Sequence, residues 1–394
     1  MRLRALILLS LLTCTLHAQT AIENAAASTP PASIAPASIN IDQFKQKLAS
    51  PPVLPAAEGS VPMALLQDSN QATWIDGMQL SERLTATTLT GILAQHTFGQ
   101  QTQHALELLA DRSALLDPPA SELPDKPAPD ASRQEQMLEA ARAFVFQRLT
   151  HLPNFFATRT TARFFGVPPE LNASGLPVQL GLRPRGSFSR EITYREGKEL
   201  INPMKSPRPA PTLPQVGLET WGEFGPEPAM ILMDSGAGTI AFHHWENGPS
   251  GAVAVFRYSV PEAESHYDVN YACNGSTSFH AQPAYHGSLA VDPASGAILR
   301  VTIQADWKKD DPISHVASVV EYGPVEIGGR SYICPLNSLA FSVEEPNLCS
   351  RNIHNRSQVQ PMLLNRTAFT DYHRIGSTSR IVTDPNAVTQ APQK

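Results

Sequence analysis

Six histidines fall within a short stretch of the chain, at His243, His244, His266, His280, His286 and His315. Imidazole is the side chain that most readily serves as a transition-metal ligand or as a proton carrier near neutral pH. No HExxH, CxxCH or other fixed-interval metal signature accompanies them. The neighbours His243 and His244 point to opposite faces of a strand, so at most one of them can serve a given site. The expectation is therefore of surface or hydrogen-bonded histidines, with no metal and no cofactor. Nucleophilic catalysis finds no Gly-x-Ser-x-Gly elbow. Gly236-Ala237-Gly238 lacks the third glycine and the following helix of a dinucleotide loop. Glu262, Glu264 and Asp268 are close in sequence, but that gives no spacing between carboxylates from which acid–base work could be argued.

The chemistry that remains is apolar. From Leu152 to about Arg380 short stretches alternate apolar and polar residues between turn dipeptides, the mark of strands with one buried face. The clearest is Ala297 to Gln304, which places Leu299, Val301 and Ile303 on one side and Arg300, Thr302 and Gln304 on the other. Asp292-Pro293-Ala294-Ser295-Gly296 and Gly328-Gly329 read as tight hairpin turns, so neighbouring strands pair antiparallel. Strands are expected at 154–165, 188–195, 229–233, 239–245, 252–260, 266–273, 285–291, 297–305, 316–327, 331–341 and 363–374. A sheet of about ten strands with one greasy face curls. The apolar stripe Met137, Ala141, Phe144, Val145 and Leu149 makes 132–152 a helix suited to its hollow. The predicted class is α+β: a curved antiparallel sheet, a half-barrel-like meander, with helices on its concave face.

Around that domain the composition changes. Arg2 and Arg4, an apolar run from Ala5 to Leu12 and Ala18 form a secretory signal over 1–18, cut before Gln19. The apolar run is too short for the ~20 residues that span a bilayer. Cys14 is preceded by Thr13, larger than the residues usual before a lipidated cysteine. Residues 19–62 are rich in Ala, Ser and Pro and read as a disordered tether, interrupted only by the amphipathic Ile41 to Leu48. Helical periodicity over 63–117, broken at Phe98-Gly99, gives a small helical unit of two helices. The Pro-rich stretch 118–131 makes it separable from the sheet, the alternative being that its helices pack on the sheet. Residues 132–380 form the sheet domain and 381–394 a disordered tail. The formal charge is −6, and −8 once Arg2 and Arg4 are removed, which argues against nucleic acid as a partner. Cys273, Cys334 and Cys349 would remain, an odd number; Cys334 with Cys349 closes a modest loop, and three reduced, buried cysteines are the other reading.

Three resemblances rest on these residues. Ile231-Leu232-Met233 followed by Asp234-Ser235-Gly236-Ala237 resembles the active-site loop of retroviral-type (retropepsin-like) aspartic proteases. That likeness implies a homodimer, since a second such motif is absent; a Gly-rich hairpin with positive φ at Gly236 or Gly238 explains the same residues. The long helix followed by Leu152-Pro153-Asn154-Phe155-Phe156-Ala157-Thr158-Arg159 and then Val291-Asp292-Pro293-Ala294-Ser295-Gly296-Ala297-Ile298-Leu299 resembles the half-barrel of periplasmic lipoprotein carriers, LolA-like, and of RseB-like regulators. Phe256-Arg257-Tyr258-Ser259-Val260-Pro261 and Phe369-Thr370-Asp371-Tyr372-His373 are similar to runs in exported acidobacterial proteins. The carrier resemblance implies a non-enzymatic protein of the periplasm or exterior that binds a lipid, a lipoprotein or another apolar ligand. Phe144 and Val145 would lie on the covering helix, with Leu299, Val301 and Ile303 beneath it. The alternative is a structural or protein-interaction module of the envelope, docking through its helical unit.

Overall fold

The computed structural model describes residues 37–50, 63–170, 181–201, 218, 220, 222–273, 276–345 and 360–375. The signal segment, most of the 19–62 tether, the 381–394 tail and Cys349 lie outside them. The described residues all fall in one compact unit.

Four helices open it: α1 (Ile41–Ala49), α2 (Met63–Asp76), α3 (Ala86–Gln95) and α4 (Gln100–Arg112). The first falls within the expected tether. Ile41, Phe44 and Leu48 share one face and bury against Trp74 and Ile75, with the Phe44 and Trp74 rings stacked. Asn40 and Gln43 form a reciprocal capping box at its start. The break at Phe98-Gly99 is present, and the unit has three helices after residue 63 where two were expected. Asp68 of α2 caps α4 from outside: Thr102 N–H donates to Oδ1 at 2.9 Å and Gln101 N–H to Oδ2 at 3.1 Å. A carboxylate there satisfies orphan donors and meets the positive end of the helix dipole.

Among the described residues twelve strands follow. The ten-stranded sheet runs in the order β3 (Lys198–Ile201), β2 (Arg183–Arg195), β1 (Phe155–Gly166), β12 (Met362–Arg374), β11 (Arg330–Glu344), β10 (Ile313–Ile327), β9 (Ile298–Asp306), β8 (Ala284–Val291), β5 (Gly251–Val260), β4 (Thr239–Gly248). Every pairing is antiparallel. The hairpin β6 (Val269–Cys273) and β7 (Ser276–Ala281) stands apart as its own two-stranded sheet. Gly328 and Gly329 both take positive φ, as a primed hairpin turn requires. At the β8–β9 turn Gly296 has φ 73, and Asp292 accepts from Ala294 N–H and the Ser295 hydroxyl.

Flat, ten strands at about 4.8 Å spacing would hold β2 and β4 roughly 40 Å apart. Instead Tyr194 of β2 and Trp245 of β4 belong to one core, joined through α5 (Ala131–Gln147) and α6 (Pro226–Asp234). The sheet is open and curved, and these two helices fill its hollow. The expected strand at 229–233 is α6. Its five-residue apolar run carries no decisive period. Gly225, with φ 142, and Pro226 at the first turn start a helix there, because proline needs no N–H partner at that position.

The helical unit is not separable in the way the prolines of 118–131 suggested; its helices pack on the outer face of the sheet. Leu108 of α4 buries against Phe164, Met362 and Leu364. Arg366 of β12 donates through Nε to Asp111 of α4 at 2.7 Å. The Pro-rich stretch lies along β4: Trp245 Nε1–H donates to the Pro127 carbonyl at 2.8 Å and Lys126 sits over the indole ring. A chain without free N–H groups can still offer carbonyls to a sheet edge, which is how this segment is held.

Candidate functional site

Phe144, Val145, Val301 and Ile303 lie in the main core, Phe144 at 7% exposure and the other three at 0%. Leu299 is half-buried and differs from them. The register slips between Ala290 and Val291, and Leu299 packs both on the main core and on the small outer cluster of Val253, Val255 and Ala290. A single extra residue in the strand breaks the alternation that put Leu299, Val301 and Ile303 on one side. Four of the residues expected to form a groove, Phe144, Val145, Val301 and Ile303, thus belong to the core that holds α5 against the sheet and are closed to solvent, while Leu299 is only half-buried.

Space opens on the opposite face. Between α3–α4 and the outer side of β9–β11 lies a cleft of ≈ 720 Å³. Leu84, Leu89, Ala110 and Ala114 form its helical wall, and Val319 and Leu339 its floor. Two ion-pair groups close its ends. At one, Glu246 accepts from Arg83 Nη2 at 2.7 Å and from both terminal nitrogens of Arg300 at 2.7 Å. Burial pushes the Glu246 carboxyl upward, but the hydrogen bond from His244 and the charges of Arg300 and Arg83 outweigh it and hold it far below the usual range. At the other end Arg366 meets Asp111, whose carboxyl burial pushes up to about 6 in spite of that guanidinium. A smaller cleft of ≈ 240 Å³ adjoins it and shares Arg83, Ala114, Glu246 and Arg300. Arg83 and Arg300 share the one Glu246 carboxylate and Arg366 pairs with Asp111, so the cleft offers a ligand an aliphatic wall between charged ends.

Asp234 ends α6 and does not follow a strand, so the retropepsin-like loop is not formed here. Its carboxylate is buried: His266 N–H donates to Oδ2 at 2.9 Å, Tyr285 O–H donates to Oδ2 at 2.8 Å, and His266 Nδ1 lies 2.8 Å from Oδ1. Neither Gly236 nor Gly238 has positive φ; Gly238 is required because a Cβ would lie 2.1 Å from the Ser259 carbonyl oxygen. The pair orients an exposed imidazole, but among the described residues no Ser, Thr or Cys side chain is hydrogen-bonded to His266.

Two features were invisible in the sequence. One is a set of buried acids, Glu223 and Glu227, in the segment between β3 and α6. Burial, then the nearby Glu223 and Glu199 charges, pushes the Glu227 carboxyl well above the carboxylate range. Only the run Gly222-Glu223-Phe224-Gly225-Pro226-Glu227 hinted at it, through acids spaced among turn residues. The other is a β-bulge on β4: Phe242 pairs with Phe256 and His244 with Val255, leaving His243 unpaired between them. It turns both imidazoles toward Asp117, against the expectation that only one could serve a site. Cys334 carries a free, buried thiol that burial pushes up to about 12.

No protein-family model matches the chain, and no curated protein is significantly similar to it. Among solved structures it is similar to a LolA superfamily protein from Nitrosomonas europaea, at 10% identity over 62% of this chain and 94% of that one, TM-score 0.28. It is also similar to a putative outer membrane lipoprotein-sorting protein domain from Vibrio parahaemolyticus, at 9% identity over 65% and 97%, TM-score 0.26. A DUF1329 family protein from Desulfovibrio piger matches at 9% identity over 63% and 95%, TM-score 0.26. Likeness of this size assigns neither a ligand nor an activity.

Proposed function

We propose that the protein is an exported, non-catalytic binding protein for a lipid, a lipoprotein acyl chain or another apolar ligand of the cell envelope. The leader-like N-terminus supports export to the periplasm or exterior, and no helix among the described residues is long and apolar enough to cross a membrane. The ligand site moves from the hollow, which α5 and α6 fill, to the outer cleft. The carrying observation is the cleft itself: ≈ 720 Å³, with Leu84, Leu89, Ala110, Ala114, Val319 and Leu339 in a lining that also carries Arg83, Glu246, Arg300 and Arg366. That size lies within the roughly 300–1,000 Å³ usual for small-molecule sites. Burial of apolar surface, about 25 cal/mol per Å², supplies the affinity, and no reacting group is needed.

The test is uptake of anilinonaphthalene sulfonate by the purified mature chain, with native mass spectrometry of protein drawn straight from envelope extract. Ala110→Trp fills the cleft and abolishes uptake while the melting curve stays in place. Met233→Ser, at an exposed apolar residue of α6, leaves uptake unchanged. Dye binding that survives Ala110→Trp, together with no co-purifying lipid mass, removes the reading.

A further inference from the structure

We propose that Asp117, His243 and His244 form a binding site for a divalent transition metal of the zinc class. The bulge on β4 is the device that makes it. In a regular strand His243 and His244 would face opposite sides of the sheet; the unpaired extra residue turns them the same way. Their ring centroids lie 4.7 Å apart. Asp117, just beyond α4, brings Oδ2 to 3.2 Å from His243 Nε2. One donor atom from each residue lies within 4.8 Å of the others.

The donor set selects the metal. Two imidazoles and one carboxylate suit zinc, nickel or copper, whereas calcium and magnesium ask for oxygen alone. Bonds of about 2.0–2.1 Å to a common ion require the donors to close in slightly. Asp117 and His243 are exposed and free to do so, while Glu246 holds the His244 ring through Nε2 at 2.9 Å. A carboxylate behind a ligating imidazole is the usual outer support of such a site. Three protein ligands leave a coordination position for water or for a donor from outside.

Arg257 opposes the ion. Its Nη2 is 2.6 Å from Asp117 Oδ2, so the guanidinium competes with a metal for that carboxylate, and it is exposed enough to swing away. The metal would then join the end of α4 to β4, clamping the helical unit to the sheet. The site thus has a signature that a stray surface histidine lacks: removing a positive charge beside it must strengthen binding.

The experiment is titration of the full mature chain, freed of metal by chelation, with Zn²⁺ by calorimetry at pH 7.5, and with Co²⁺ followed by its visible absorption. The expected result is a single equivalent bound, lost at least tenfold in His243→Ala, His244→Ala and Asp117→Asn. Affinity rises several-fold in Arg257→Ala and is unchanged in His280→Ala, at a histidine paired elsewhere with Asp268. The far-ultraviolet spectrum of each variant establishes that it is folded. Equal zinc affinity in His243→Ala, loss of binding in His280→Ala, or weaker binding in Arg257→Ala each overturns the assignment, as does the absence of any stoichiometric binding.

Discussion

Glu246 is the joint between the helical unit and the sheet, and its removal should be among the costliest single changes in the protein. Its side chain is 9% exposed, with Arg83 at 13% and Arg300 at 16%. At an effective dielectric near 20 each pair at about 4 Å between charge centres is worth about 4 kcal/mol before desolvation. Burying the carboxylate takes back several kcal/mol, and breaking a buried pair from one side costs about 3–5 kcal/mol in all. The two guanidiniums also repel each other; burial lowers the Arg83 pKa and Arg300 lowers it further, with Glu246 opposing both. Glu246→Ala should therefore lose about 3–5 kcal/mol in urea denaturation at pH 7. Arg83→Met, which relieves the repulsion and leaves the bidentate Arg300 pair intact, should lose under about 1 kcal/mol. Hydrogen exchange should locate its effect in α1–α4 and spare β9–β11. The acid limb gives a second reading. Because the folded carboxyl is held below its unfolded value, its contribution is present above about pH 4.5 and fades as the pH falls through the folded value. Wild type should lose it on acidification and Glu246→Ala should not. A cost below about 1 kcal/mol for Glu246→Ala, or equal costs for the two variants, refutes the reasoning.

Two further outcomes follow from buried groups and tight turns. Glu344 of β11 is 2% exposed and burial pushes its carboxyl up to about 7. A raised carboxyl favours the fold below the unfolded value and costs stability as the pH climbs, so wild type should lose roughly 3 kcal/mol relative to Glu344→Gln between pH 4.5 and 7. A flat difference curve across that window counts against it. Gly296 has φ 73, and a Cβ there would lie 2.3 Å from the Ala140 carbonyl oxygen on α5, whereas Gly329, with φ 78, has open space. Gly296→Ala should cost clearly more than the about 1 kcal/mol expected of Gly329→Ala, and equal urea midpoints for the two variants would show that α5 does not press on the turn.

Much of the sheet was legible because strand alternation survives wherever one face is buried, as along β1, and because the glycines at 296 and 328–329 mark turns only they can make. Helix α5 was legible through its apolar stripe. What escaped the reading has common causes. The run at 229–233 is too short to carry a period, so α6 passed for a strand. The bulges at His243 and near Leu299 add a residue that no pattern of types announces, and each reverses which side its neighbours face. Docking of the helical unit depends on Leu108 and Asp111 meeting Phe164 and Arg366, partners far apart in sequence. Leu339, Phe341 and Val343 of β11 carried the signal that the outer face is not wholly wet, since they pack on that second cluster. That α5 lies in the hollow was expected from its apolar stripe; that α6 fills it as well was not, because 229–233 passed for a strand.

The strand that opens the sheet is hydrogen-bonded to the one that finishes it, β1 with β12. No partial chain can therefore satisfy β1 on both sides. An emerging polypeptide carries an unmated row of amides from Phe155 to Gly166 until about two hundred further residues arrive, so completing the sheet waits on a non-local pairing, the kind that slows folding. A clip ahead of Met362 would bare two ladders at once, on β1 and β11, each a template for sticking to another chain.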